Sequence, residues 1–283
     1  MRPFAVAGLQ IELNRADNTE TICKEILLTK RVFPFVDMVL LAELCWFGPD
    51  VTAAPAFERT EEVMRRVARE AGVWIVGGSL YRSEGGKIFN TCPVVNPDGE
   101  VVTRYNKIYP FLPYEAGVAC GDCCQVFEVP GIGKIGLSIC YDMWFPETIR
   151  QMTWMGAEVI LHPSMTYTID RDAETAISRA NAAMHQCYFF DLNISGMGGG
   201  LSGVYGPGGE IIHKASTARE IIVVELDFDY VRHVREKGWH GLGQVIKSYR
   251  DLDLRYPVYA EGAKASPAFR DLGPMHFHVP RKP

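Results

Sequence analysis

The sequence predicts one α/β domain with a mixed strand order, and three observations carry that reading. Short apolar runs alternate with amphipathic stretches of helical length from residue 4 to about residue 237. Some runs are separated by such a stretch, as parallel neighbours require. Others are joined only by turn signals such as Glu84-Gly-Gly86 and Asn96-Pro-Asp-Gly99, which make antiparallel hairpins. No Pro/Ser-rich linker and no repeat divides the chain, so helices are expected to cover the outer faces of the sheet layers.

Phe4 to Gln10 alternates apolar and small residues and reads as the first strand. Asn18 to Phe33 has helical spacing, with Asn18 placed to cap it. Met38 to Leu41 is a fully apolar strand, and Glu58 to Ala71 an amphipathic helix stopped by Gly72. Strands follow at Trp74 to Tyr81, Lys87 to Val95, Val101 to Lys107, Gln125 to Val129 and Lys134 to Ile139. Pro146 opens a helix to about Met155, since proline is tolerated at a first helical position. Val159 to His162, the Ala-rich helix Asp172 to His185 and Tyr188 to Ile194 come next. Strands at Leu201 to Tyr205, Glu210 to Lys214 and Ile221 to Leu226 lead to a closing helix, Phe228 to Lys237. The division expected is a domain over residues 1–245 and an extended arm over 246–283, packed on the domain or on a neighbouring subunit. The arm includes His276-Phe-His278.

With 29 Lys and Arg against 34 Asp and Glu, the net charge is −5. Basic residues never cluster beyond a pair, which argues against nucleic acid as a partner. No apolar run approaches the ~20 residues that span a bilayer. Met1 to Gln10 has no charged segment of a signal peptide, so a cytoplasmic protein is expected. Cys23, Cys45, Cys92 and Cys187 fall in apolar periodic segments and read as core residues. Cys120, Cys123 and Cys124 contain one CxxC, with neither a second pair nor a nearby histidine to complete a zinc site. Gly198 to Gly203 fits GxGxxG, but a hairpin follows where a dinucleotide site needs a helix. Asn193-Ile-Ser195 matches a glycosylation acceptor inside an apolar strand.

Three segments carry possible chemistry. Glu43 follows an apolar strand in VLLAELCWFG, where a carboxylate must be paired, neutralised or exposed. Lys107 ends a strand among aromatics in RYNKIYPFLPYEAG, where it either supplies positive charge or merely snorkels. Cys140 sits in KIGLSICYDMWFPE at a strand-to-helix turn, where backbone N–H groups favour a thiolate and can bind an oxyanion. Each alone also fits an ordinary structural residue.

Together, in this order and with these flanks, the three segments resemble the nitrilase, or carbon–nitrogen hydrolase, superfamily over roughly residues 4 to 250. GAEVILHPS and the Gly206-Pro-Gly-Gly209 turn extend the likeness. The resemblance implies a four-layer αββα sandwich, a Glu43–Lys107–Cys140 triad and, as many members have, a second glutamate at Glu115. It also implies a homodimer or larger homo-oligomer. The loop Ala119 to Asp122 falls where relatives often have a Pro-Gly-Asp turn, which favours a structural role for the cysteine cluster.

Tyr141-Asp142 stands where true nitrilases typically have Trp-Glu, and CYDMWFPE is similar to the amidase and N-carbamoyl-amine hydrolase branches. The expectation is therefore a thiol amidohydrolase of small linear amides that needs no metal or organic cofactor. Tyr141, Trp46, Tyr109, Trp144 and the Pro163-Ser-Met165-Thr166 stretch are expected to wall the pocket. The alternatives are a nitrile hydrolase or acyltransferase with the same triad, or a binding protein that kept the fold without turnover.

Overall fold

The structure is a computed structural model that describes residues 3–275. Its first half is a β–α–β–α–β unit: β1 (Phe4–Gln10), α1 (Thr19–Val32), β2 (Met38–Leu40), α2 (Phe57–Ala71) and β3 (Trp74–Val76). The three strands pair in parallel, and their near-continuous apolar composition fits burial on both faces. β4 (Leu80–Glu84), β5 (Lys87–Val95) and β6 (Val101–Asn106) continue the sheet through antiparallel pairs.

The second half repeats the plan. β7 (Gln125–Val129) pairs with β8 (Gly133–Leu137), which leads through α3 (Pro146–Trp154), β9 (Val159–Pro163) and α4 (Asp170–His185) to β10 (Tyr188–Leu192). β8, β9 and β10 are parallel. β11 (Gly203–Tyr205) and β12 (Ile211–Lys214) complete this sheet, and β13 (Glu220–Leu226) returns to pair antiparallel with all of β1. The strand orders are β13-β1-β2-β3-β5-β4, with β6 also on β5, and β12-β11-β10-β9-β8-β7. α5 (Phe228–Lys237) follows, with Asp227 accepting from the Tyr230 N–H as its cap.

One apolar core joins the two sheets, drawing Val39 from the first and Leu137, Leu161 and Phe190 from the second. At Gly8 the layers come so close that a Cβ would stand 2.5 Å from the Phe190 ring. A second cluster packs Ile149, Met152 and Ala182 of α3 and α4 against Ile160 and Phe189. Helices therefore cover the outside and the arrangement is the four-layer αββα sandwich.

Three sequence expectations need correction. Trp74 to Tyr81 is not one strand: it breaks at Gly77-Gly78, where Gly78 has φ +65 and a Cβ would lie 2.0 Å from the Ala42 carbonyl oxygen. The break lets the residues after β2 turn inward, with the Leu44 N–H donating to Ser79 Oγ. Asn18 precedes α1 but makes no capping bond; its amide instead donates to the carbonyls of Asn14, Ala16 and Cys45 and ties down the entering loop.

The chain beyond Gln244 is not simply extended. It forms α6 (Val245–Asp251), α7 (Pro257–Ala260) and α8 (Pro267–Arg270), the last two opened by a proline suited to a first helical position. This segment runs along α3, with Arg150 4.5 Å over the Tyr249 ring and Tyr259 donating to Glu147. His276-Phe-His278 lies outside the described residues. Among the described residues, no helix is long and apolar enough to cross a membrane.

Candidate active site

The site grows from strand ends, where side chains of a doubly covered sheet first reach open space. Glu43 lies three residues beyond β2, and Cys140 three residues beyond β8, so the two βαβ units place them equivalently. Lys107 directly follows β6, and Met165 and Thr166 follow β9. All these side chains except Met165 are buried.

Lys107 Nζ donates to Glu43 Oε1 at 2.8 Å and to Glu115 Oε2 at 2.6 Å. Asn90, buried on β5, donates its amide nitrogen to both carboxylates, at 3.0 Å to Glu43 and 2.8 Å to Glu115. Two acids that would repel one another are thus bridged by one cation and one neutral amide. Backbone N–H groups finish the shell: Met165 donates to Glu43 Oε2 and Phe111 to Glu115 Oε2. The sequence reading missed Asn90, although a polar residue in phase with the buried Cys92 and Val94 is a legible signal.

Burial governs the protons. It raises the Glu43 carboxyl above the usual range, with Lys107 opposing and Glu115 reinforcing that shift. Burial would lower Lys107, but the charges of Glu43, Cys140 and Glu115 hold it well above its ordinary value. Burial and the Glu43 charge likewise push the Cys140 thiol well up, against Lys107. Burial thus disfavours a free thiolate at Cys140, while Lys107 keeps its proton between the two glutamates.

Cys140 has φ +46, a left-handed conformation that costs a non-glycine residue about 1 kcal/mol. Asp142 holds this elbow. Its carboxylate accepts from the Ile139 N–H, from Tyr105 Oη at 2.6 Å and from the Tyr109 N–H at 2.9 Å. Asp142 thus ties the cysteine turn to the chain carrying Lys107. Its own carboxyl is pushed up to about 6, chiefly by burial. The Cys120 loop has a related position: the Gly121 N–H donates to the Lys107 carbonyl, and a Cβ at Gly121 would lie 2.1 Å from the Asn106 carbonyl oxygen.

A cavity of about 480 Å³ opens over these groups. Glu43, Lys107, Glu115 and Cys140 line it, as do Tyr141, Trp144, Met165 and Thr166. Trp46 and Tyr109 do not, which corrects the expected pocket walls. Trp46 is fully buried with its indole N–H on the Gly77 carbonyl, and Tyr109 stacks on Phe145 with ring centroids 3.5 Å apart. Adjacency in sequence to a candidate site residue does not fix which way a large ring turns.

Sequence reading also missed the wall supplied by α4. Asp170 and Glu174 line the cavity, one helical turn apart on one face. Thr166 Oγ1 stands 3.6 Å from Cys140 Sγ and donates to Glu174 Oε1 at 3.1 Å. Behind it, Arg171 pairs with Glu174 at 3.1 Å and with Asp191 at 2.8 Å. Burial, then the Asp191 charge, pushes the Glu174 carboxyl up to about 7.

Comparison with known proteins agrees with this architecture. The family model described as carbon-nitrogen hydrolase matches residues 4–236. The chain is 30% identical over 196 residues to the omega-amidase NIT2 of Xenopus tropicalis, which spans 64% of this chain and 70% of the relative. A carbon-nitrogen hydrolase from Helicobacter pylori G27 has the same fold, with TM-score 0.78, 23% identity, and coverage of 90% of this chain and 99% of that one. A cysteine-to-alanine variant of the amidase from Nesterenkonia sp. AN1, in complex with butyramide, matches at TM-score 0.74 and 22% identity over 88% and 97% of the two chains.

Proposed function

The chain belongs to the carbon–nitrogen hydrolase family, and on that premise we propose that it hydrolyses small linear carboxamides or N-carbamoyl compounds through a Cys140 thioester. The observation that carries the reading is the convergence of Cys140, Lys107 and two glutamates at the floor of one cavity. The omega-amidase relative and the butyramide-bound amidase support an amide as the substrate class.

In this reading, the Cys140 sulfur attacks the amide carbon while its proton passes to Glu43. The carbonyl oxygen becomes an oxyanion, met by the Lys107 ammonium and the Tyr141 backbone N–H. As the C–N bond breaks, Glu43 returns its proton to the nitrogen, which leaves as ammonia. Water then attacks the thioester, giving a proton to Glu43. The S–C bond breaks, and Glu43 restores the thiol as the carboxylic product departs. Glu115 and Asn90 act as positioning residues that hold Lys107 and Glu43 in register.

The test is ammonia release from aliphatic amides, N-carbamoyl amines, ω-amides and nitriles, with Cys140→Ala as the blank. Turnover abolished by Cys140→Ala, with a thioester trapped by acid quench and mass spectrometry, is the expected outcome. Ammonia from nitriles alone, or acyl transfer to hydroxylamine without hydrolysis, would replace the amidase reading with one of its same-triad rivals. A folded protein inert to every compound would point to binding.

A further inference from the structure

We infer that the cavity selects substrates whose end remote from the scissile amide carries a primary ammonium group, which Glu174 and Asp170 receive. The inference deepens the amide-hydrolase reading and rests on it.

The first argument is charge. Arg171 is the single cation between Glu174 and Asp191, and all three are buried. Its remaining capacity is spent on the carbonyls of Gly200 and Leu201, so it has nothing to offer the cavity. With both acids ionised the trio carries one uncompensated negative charge, and Glu174 is the member that lines the cavity. An ionised carboxylate has about four acceptor sites. Thr166 and Arg171 each supply one hydrogen bond to Glu174. Lys107 cannot supply the missing charge, being held between Glu43 and Glu115. Arg15 also lines the cavity but is exposed, where solvent and salt screen it.

The second argument is shape and surface. Tyr114, Tyr141, Trp144 and Tyr167 line the same cavity, and aromatic faces attract ammonium groups. At the α4 wall a carboxylate tail would meet acids and ring faces, where an ammonium tail meets complementary partners. Thr166 bridges Cys140 and Glu174 by two successive polar contacts, so a short aliphatic spacer joins the two ends of such a substrate.

The test uses three chain-matched amides: γ-aminobutyramide, valeramide and glutaramate. With the full chain at pH 8, kcat/KM for γ-aminobutyramide should exceed that for either other amide at least ~tenfold, as a desolvated charge pair allows. Glu174→Gln should reduce that ratio to near unity. Asp170→Asn, at a half-buried position that the fold tolerates more easily, should reduce it several-fold. In the wild type the γ-aminobutyramide/valeramide ratio should rise with pH through about 7, as Glu174 ionises among Arg171, Asp191, Asp170 and Cys140. Valeramide cancels the titration of the catalytic groups.

Equal turnover of the three amides, or preference for glutaramate, overturns the inference and leaves the hydrolase reading intact. Calorimetric titration of Cys140→Ala with the same compounds separates the opposite case. Tighter binding of γ-aminobutyramide without wild-type turnover sustains the recognition and removes the reaction. Neither turnover nor selective binding overturns both.

Discussion

Two buried clusters of the same composition flank Cys140, and they are built for different ends. Each sets two carboxylates around one cation: Glu43 and Glu115 around Lys107, Glu174 and Asp191 around Arg171. Lysine is a compact charge on a flexible stem, with protons that can be shared as charge develops beside it. Arginine is a rigid fork that keeps its proton and satisfies several acceptors at once. Here Arg171 binds two carboxylates and two carbonyls, stitching α4 to β10 and to the chain before β11. Among the described residues Lys107 Nζ donates only to its two glutamates, leaving one of its three N–H groups for a third partner. The choice of cation separates a cluster suited to shifting charge from one suited to holding position.

The sharpest way to break this comparison is at Glu43, the proposed proton carrier. Glu43→Gln should lower kcat by ~10³ or more, since in the proposed mechanism Glu43 accepts and returns the thiol proton. Retention of more than a tenth of wild-type kcat would remove Glu43 from that role. Next comes Arg171→Lys. A point charge cannot satisfy four partners, so urea denaturation should show a loss of ~3 kcal/mol. A shift in midpoint too small to measure would mean the fork is dispensable.

Asn90→Ala tests a subtler element. It leaves the two acids bridged by Lys107 alone, and kcat should fall ~tenfold with KM little changed, a loss of about 1.4 kcal/mol of transition-state stabilisation. A rise in KM alone would make Asn90 a substrate contact instead. The last test is the pH dependence of stability. The Glu174 carboxyl titrates at about 7 in the fold, against 4.5 for the free group. Between those values the folded state binds the proton that the unfolded chain has lost. Its stabilising contribution is therefore full below 4.5 and is lost as pH rises through about 7, at no more than ~1.4 kcal/mol per pH unit. Glu174→Gln should flatten the slope of Tm across that window; an unchanged slope would place the proton elsewhere.

These residues differ in how readily sequence could show them. The strand–helix order from Phe4 to Lys237 was legible because periodicity and turn residues are local, and most boundaries fell within two residues. Glu43, Lys107, Glu115 and Cys140 were legible through the company of their flanking motifs, and the structure gathers all four at one cavity. Asn90, Asp170 and Glu174 passed unremarked, because their significance is a matter of which other segments face them. Trp46 and Tyr109 were misplaced for the converse reason: each is next to a motif but turns its ring elsewhere.

By itself, then, the sequence determined the α/β order, the broad superfamily likeness and the chemical types available at strand ends. These follow from patterns read within a few residues of each position. Only the tertiary structure decided that one cation would stand between each pair of acids, that Asp142 would pin the cysteine elbow, and that α4 would turn two carboxylates toward the cavity. Those outcomes depend on contacts between residues tens of positions apart, and on burial that shifts their protons. Neither quantity exists until the two sheets have closed on one another.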